Sequence, residues 1–120
     1  MPHIKLEHTE NIDLDLIKPA FKKLKVILMK NAGVKKNNCK CKAIQIPIYE
    51  VGSDDSSEHF YHLEISLLEG RSEEVRGKIG KKSLQILQDY FADESSGNVK
   101  NFSVEIREIN PSDYFTSNTL

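Results

Sequence analysis

The stretch HFYHLEISLLEGRSEEVRGKIGKKSLQILQDYF, residues 59–91, contains the structural unit that decides the fold. Apolar side chains alternate over residues 59–68, which predicts a strand. Gly70-Arg71-Ser72 then interrupts the alternation, and Ser72 is the predicted N-cap of a helix that follows. The side chains predicted to be buried are Leu63, Ile65 and Leu67 on the strand and Val75, Ile79, Ile86, Leu87, Tyr90 and Phe91 on the helix.

A strand after this helix completes the unit, and the first half of the chain has the same order. Residues 102–106 alternate as the last strand, and residues 2–7 as the first. Asn11 and Asp13 are candidate caps of the first helix, which places Pro19 in its first turn. Residues 39–51 then predict a long strand. The apolar positions of the first half are Ile4 and Leu6, then Ile17, Phe21, Leu24 and Leu28, then Ile44, Ile46 and Ile48.

Two β-α-β repeats in 120 residues predict a single domain. The repeats occupy about residues 1–52 and 58–110, and residues 111–120 form a polar tail. Each repeat should pair its two strands in parallel. The predicted fold class is therefore α+β: a four-stranded sheet with two helices on one face, of the split βαβ kind. The other face would be bare, with Ala43, Gln45 and Tyr49 on it, and we expect an assembly to cover it.

Composition excludes several kinds of partner. The chain has 18 acidic and 17 basic residues and a net charge of −1, so no global field favours nucleic acid or acidic membranes. No apolar run reaches a membrane span, and residues 1–10 lack a signal-peptide core, so we expect a cytoplasmic protein. Cys39 and Cys41 are predicted to be ordinary reduced cysteines, because a metal site needs further ligands.

The residue with the most chemical potential is Pro2. If Met1 is removed, as we expect in the cell, the chain begins with a secondary amine that burial and nearby cations can turn into a general base. Lys40 and Lys42 share one face of their strand, and Arg71 lies in a strand-to-helix turn. The alternative interpretations are structural: Pro2 as a strand start, the lysines as a solvated edge, and Arg71 as a surface residue.

Other functional patterns are weaker. The four histidines, His3, His8, His59 and His62, are predicted to serve packing or to lie on the surface, and His3 should point away from the side of Pro2. An RNA-binding module of the same shape would stack bases on paired strand aromatics. Phe60-Tyr61 is the only candidate pair, and a basic surface is absent.

The chain resembles the 5-carboxymethyl-2-hydroxymuconate isomerase family of the tautomerase superfamily. The resemblance spans nearly the whole chain, and the spacing from Phe21 to Lys42 also fits. It is carried by Met1-Pro2-His3 with Glu7, Thr9, Asn11 and Ile12, by Gly70-Arg71-Ser72 with Glu74 and Arg76, and by Glu105, Ile109 and Pro111.

The resemblance implies a tautomerase-like homotrimer that needs no cofactor or metal and isomerises an unsaturated hydroxy acid in the breakdown of aromatic compounds. On this mapping Pro2 is the acid/base, while Arg71 and Lys40 bind or polarise the substrate and Lys42 binds its carboxylate. The family has arginines where this chain has Lys40 and Lys42, so charge is kept but the bidentate fork is lost. The alternatives are a non-catalytic trimeric binder of small acids, and a decarboxylase or dehalogenase, for which no further acid can be assigned.

Overall fold

The computed structural model describes residues 1–52, 57–93 and 97–117. Its strands and helices follow the predicted order and are β1 (His3–His8), α1 (Leu14–Ala32), β2 (Lys40–Gln45), β3 (His59–Leu68), α2 (Glu73–Phe91) and β4 (Lys100–Ile109). Short 3₁₀ helices precede β2 (Lys36–Asn38) and follow β4 (Pro111–Asp113). Among the described residues, no helix combines the length and apolar character needed to span a bilayer.

The four strands form one sheet in the order β2-β1-β3-β4. β1 pairs with β2 in parallel and β3 pairs with β4 in parallel, while β1 and β3 are antiparallel in the centre. Each repeat therefore contributes one parallel pair, as predicted. The core lies between the sheet and the helices, with Ile4, Leu6, Leu63, Ile65 and Leu67 from the central strands and Leu24, Leu28, Ile79 and Leu87 from the helices. The α+β prediction, with two helices and a four-stranded sheet, is confirmed.

Local signals set the helix ends. The Asp13 carboxylate accepts the amide of Asp15 at 3.0 Å and caps α1, which ends before Gly33 at φ 68°. The Ser72 hydroxyl accepts the amide of Val75 at 3.2 Å and caps α2, as predicted. The placement of Pro19 in the first turn is wrong, because α1 begins at Leu14 and its sixth residue is Pro19.

The prediction for β2 is too long. The strand ends at Gln45. The amide of Ile46 still bonds to the His8 carbonyl at 2.8 Å, but Pro47 has no amide hydrogen with which to continue the ladder. Ile44 is 44% exposed and Ile48 is 90% exposed, so neither belongs to the core. It is the alternate residues, Cys41 and Ala43, that pack against the core.

The open face of the sheet is the side away from the helices. Ala43 was predicted on this face and faces the helices instead, because the register pairs it with the buried Leu6. The side chains that the register places on the open face are Lys40, Lys42 and Ile44 of β2, His3, Lys5 and Glu7 of β1, His62, Glu64 and Ser66 of β3, and Ser103, Glu105 and Arg107 of β4. This face is therefore strongly polar.

Candidate active site at the amino terminus

Pro2 lies at the start of β1 and is fully buried. Its carbonyl accepts the backbone amide of Lys40 at 3.1 Å, which extends the β1–β2 ladder by one step. The next residue, His3, pairs with Lys40 on one side and with Ser66 on the other. Strand pairing therefore fixes the amino terminus between the start of β2 and the end of β3.

The two lysines of β2 approach the amino terminus from the open face. Lys40 is opposite His3 and Lys42 is opposite Lys5, so both ammonium groups are on the same side of the sheet. Both residues are exposed, and within residues 1–52, 57–93 and 97–117 neither is in an ion pair. Two cations without described counter-ions are suited to bind an anionic ligand.

Electrostatics at this end favour neutral bases. Burial lowers the pKa of the Met1 amine, which adjoins Pro2, and the charge of Lys40 lowers it further, although Cys39 opposes the shift. Burial also lowers the pKa of His3, with further lowering by the terminal amine, Lys40 and Lys42. These groups therefore interact with one another, and the amino terminus is an environment that disfavours extra positive charge.

Arg71 lies in the turn between β3 and α2, at the same end of the sheet. Its guanidinium donates to the carbonyl of Leu68 at 3.0 Å and to the carbonyl of Ala32, the last residue of α1, at 3.1 Å. Two of its five N–H donors are thus used on the scaffold, and the other three have no hydrogen-bond partner among the described residues. Pro2, Lys40 and Lys42 are joined by strand pairing, whereas Arg71 is anchored to α1 and β3.

Sequence reasoning missed two residues of this region. The Nε2 atom of His3 is 3.0 Å from the hydroxyl of Tyr114, although the residues are 111 positions apart. The position of His3 next to Pro2 was a signal in the sequence. Tyr114 belongs to the predicted polar tail, and nothing in the sequence links it to His3.

The cysteines lie beside the site, with their thiols in unreactive surroundings. Burial raises the pKa of Cys41 to about 11, and burial also raises the pKa of Cys39. Both are free thiols, and the Cys39 sulfur contacts the Lys35 carbonyl at 3.6 Å. In the described part of the chain, no cluster of three or more His, Cys, Asp or Glu could hold a metal ion.

A family model and a solved structure that match this chain carry the same description. A family model described as 5-carboxymethyl-2-hydroxymuconate isomerase matches residues 2–120. No protein of curated function matches the sequence. Among solved structures, the chain is similar to a 5-carboxymethyl-2-hydroxymuconate isomerase from Deinococcus radiodurans R1, with 28% identity and a TM-score of 0.85 over 98% of this chain and 90% of that one.

Two further structures show how widely the fold occurs. A 5-carboxymethyl-2-hydroxymuconate delta-isomerase is 19% identical with a TM-score of 0.72, covering 99% of this chain and 89% of that one. A fused 4-OT that forms a symmetric trimer is 12% identical with a TM-score of 0.76, covering 98% and 94%. At these identities the likeness shows the fold alone.

Proposed function

We propose, from the premise that the chain belongs to the 5-carboxymethyl-2-hydroxymuconate isomerase family, that it is a cofactor-independent tautomerase acting on an unsaturated hydroxy carboxylic acid. The family and the Deinococcus radiodurans neighbour support an isomerase of the tautomerase superfamily. The finer proposal is that the Pro2 amine, freed by removal of Met1, is the acid/base, and that the reaction belongs to the breakdown of aromatic compounds. We place this chemistry in the cytoplasm.

The observation that carries the proposal is the environment of the amino terminus. Burial and the charge of Lys40 lower the pKa of the Met1 amine. We propose that the same surroundings lower the pKa of the Pro2 amine once Met1 is removed, so that it acts as a base near neutral pH. In the proposed reaction the Pro2 nitrogen takes the proton of the enol hydroxyl, and the electron pair moves through the diene. The nitrogen then returns the proton to a carbon, which leaves a keto acid.

The cations supply binding and charge stabilisation. Lys40 and Lys42 are proposed to hold the substrate carboxylate, and Lys40 stabilises the enolate charge that develops beside the amine. Arg71 keeps three donors beyond its two backbone contacts, and we propose that these reach the carboxylate or the carbonyl oxygen. No cofactor or metal takes part.

We also propose a homotrimer. In the described part of one chain, no layer covers the open face. The exposed Ile44 lies on the edge strand β2, and the exposed Ile48 follows it. The fused 4-OT neighbour is a symmetric trimer of the same fold. Sedimentation equilibrium should give three times the chain mass of 13.7 kDa; a monomer over the accessible concentration range would contradict the assembly.

The test of the chemistry is Pro2→Ala, with Pro47→Ala as the matched control at an exposed position. Turnover of a 2-hydroxydienoate, followed by its ultraviolet absorbance, should fall by at least about a hundredfold in Pro2→Ala and stay at the wild-type rate in Pro47→Ala. Intact mass must show the loss of Met1. Unchanged turnover in Pro2→Ala would defeat the proposed mechanism.

One observation favours a second candidate, a non-catalytic binder of small acids. The Arg71 guanidinium is used on two backbone carbonyls, and lysines replace the arginine forks of the family. A pH–rate profile with an enol pyruvate separates the two. A working amine gives a limb near neutral pH, whereas a binder gives no rate above that of buffer.

A further inference from the structure

His3 and Tyr114 form a side-chain pair at the mouth of the proposed site. The His3 Nε2 atom is 3.0 Å from the Tyr114 hydroxyl, and the rings meet edge to face with their centroids 6.0 Å apart. His3 follows Pro2 directly and is opposite Lys40 in the register. The pair therefore adjoins both the proposed base and the proposed carboxylate-binding lysines.

A dedicated turn brings Tyr114 to this place. The Asn110 side chain accepts the amide of Ser112 at 3.0 Å and caps the 3₁₀ helix Pro111–Asp113, which follows β4. Tyr114 follows that helix and is partly buried, whereas the next residue, Phe115, is 88% exposed. Within the described tail, the hydroxyl contact to His3 is a specific anchor.

The charges that face His3 are mostly positive. The terminal amine, Lys40 and Lys42 act on His3 directly. Lys5, Arg107 and the carboxylates Glu64 and Glu105 lie further along the same sheet face, and the neutral Ser66 and Tyr114 are next to His3. Glu64 is shared between Lys5 and Arg107, each at 3.8 Å, and Glu105 pairs with Arg107 at 3.1 Å. Among the residues that the structure describes, no carboxylate therefore forms an ion pair with His3.

Because burial and the surrounding cations lower its pKa, His3 is neutral at pH 7 in the free protein. A neutral imidazole has one donor and one acceptor nitrogen, and an imidazolium has two donors. A carboxylate placed beside Lys40 would cancel part of the positive field and favour the imidazolium.

We propose that His3, held in place by Tyr114, is a third anion-binding group beside Lys40 and Lys42 and takes up one proton from solvent when the substrate carboxylate binds. One N–H of the imidazolium then donates to the carboxylate and the other to the Tyr114 oxygen. Tyr114 is a positioning residue. The inference rests on the proposed function for the identity of the anion, but not on the chemistry at Pro2.

The experiment is calorimetric binding of 2-oxoadipate at pH 7, in two buffers that differ in ionisation enthalpy. Wild type should bind with net proton uptake. His3→Gln should bind about tenfold more weakly and lose that uptake. Tyr114→Phe should bind about threefold more weakly while the uptake remains, because the imidazole is still present.

The matched control is Tyr49→Phe, which removes the hydroxyl from a second tyrosine–histidine contact, 3.4 Å from His59. It should bind 2-oxoadipate like wild type. Thermal unfolding of all variants shows whether they fold. Affinity and proton uptake of folded His3→Gln equal to wild type would overturn the role of His3, and wild-type affinity in Tyr114→Phe would overturn the role of Tyr114.

The outcome also separates this inference from the proposed function. A wild type that binds 2-oxoadipate with His3-dependent proton uptake but turns over no enol acid would leave the inference standing and defeat the tautomerase. If the wild type turns over enol acids but shows no His3-dependent proton uptake, the tautomerase proposal stands and the inference about His3 fails. A protein that does neither would defeat both.

Discussion

The two ends of β1 differ in whether their charged side chains are paired. Beyond His8, the Glu10 carboxylate accepts the Tyr61 hydroxyl at 2.5 Å and pairs with the Lys100 ammonium at 3.0 Å. At the other end, Lys40 and Lys42 have no described counter-ion beside the amine and His3. The satisfied end stabilises the fold, and the unsatisfied end leaves cations available for a ligand.

The causes of the pKa shifts also differ between the two ends of β1. Burial opposes ionisation of Glu10, but hydrogen bonds from Tyr61, Lys100 and Asn98 outweigh it and hold the pKa of Glu10 below its ordinary value. At the amino terminus, burial and Lys40 act in the same direction on the terminal amine. Hydrogen-bond partners therefore decide the pKa shift of Glu10, whereas burial decides that of the terminal amine.

The largest effect should come from breaking the satisfied end. Glu10→Gln leaves the Lys100 side chain, only 9% exposed, without its carboxylate. Unfolding by urea should show a loss of about 3 kcal/mol, while kcat/KM of the remaining folded protein stays within a factor of two of wild type. A stable variant with reduced activity would contradict the division between the two ends.

Removing the unsatisfied cations should have the converse result. The double variant Lys40→Ala, Lys42→Ala should lower kcat/KM for an enol acid about thirtyfold, or about 2 kcal/mol, with little change in stability. The control is Lys22→Ala, Lys23→Ala on the exposed side of α1, which removes the same charge. Equal losses in both pairs would mean that general charge matters rather than position.

Acid should reduce the contribution of Glu10 to the stability of the fold. Because the folded pKa of Glu10 is lowered, its ionised form stabilises the protein above the unfolded pKa of about 4.3, and this contribution is lost as the pH falls through the folded value. Stability measured from pH 6 down to pH 3 should fall less steeply in Glu10→Gln than in wild type. Parallel curves would exclude Glu10 as a contributor.

The smallest effect marks the scale of an exposed pair. Lys78 and Glu74 are 3.9 Å apart, one helical turn from each other on the surface of α2. Lys78→Ala should change stability by less than about 0.5 kcal/mol. A loss comparable to that of Glu10→Gln would show that burial does not account for the difference between these pairs.

Periodicity was sufficient for the elements and the sheet, because the core alternation of β1, β3 and β4 and the caps of both helices are local signals. It failed at β2, where Ile44 suggested an inward face. The side of an edge strand depends on register, and it is the pairing of Ala43 with Leu6 that decides it.

The sequence likewise predicted some features of the candidate site and not others. Pro2, Lys40, Lys42 and Arg71 could be named from the sequence, because residue type and spacing carried the resemblance. Their surroundings could not, since the contact of His3 with Tyr114 depends on the path of the tail after β4. The carbonyl partners of Arg71, at Ala32 and Leu68, depend likewise on how the two repeats dock.

The guanidinium of Arg71 also connects the two repeats. It forms hydrogen bonds with the last residue of α1, in the first repeat, and with the end of β3, in the second. Lysine could keep its charge but would have to span both carbonyls with a single nitrogen. A loss of activity on replacing Arg71 would therefore mix a mechanical defect with a chemical one. Lys40 and Lys42 are therefore the cleaner positions at which to test the proposed binding of a carboxylate.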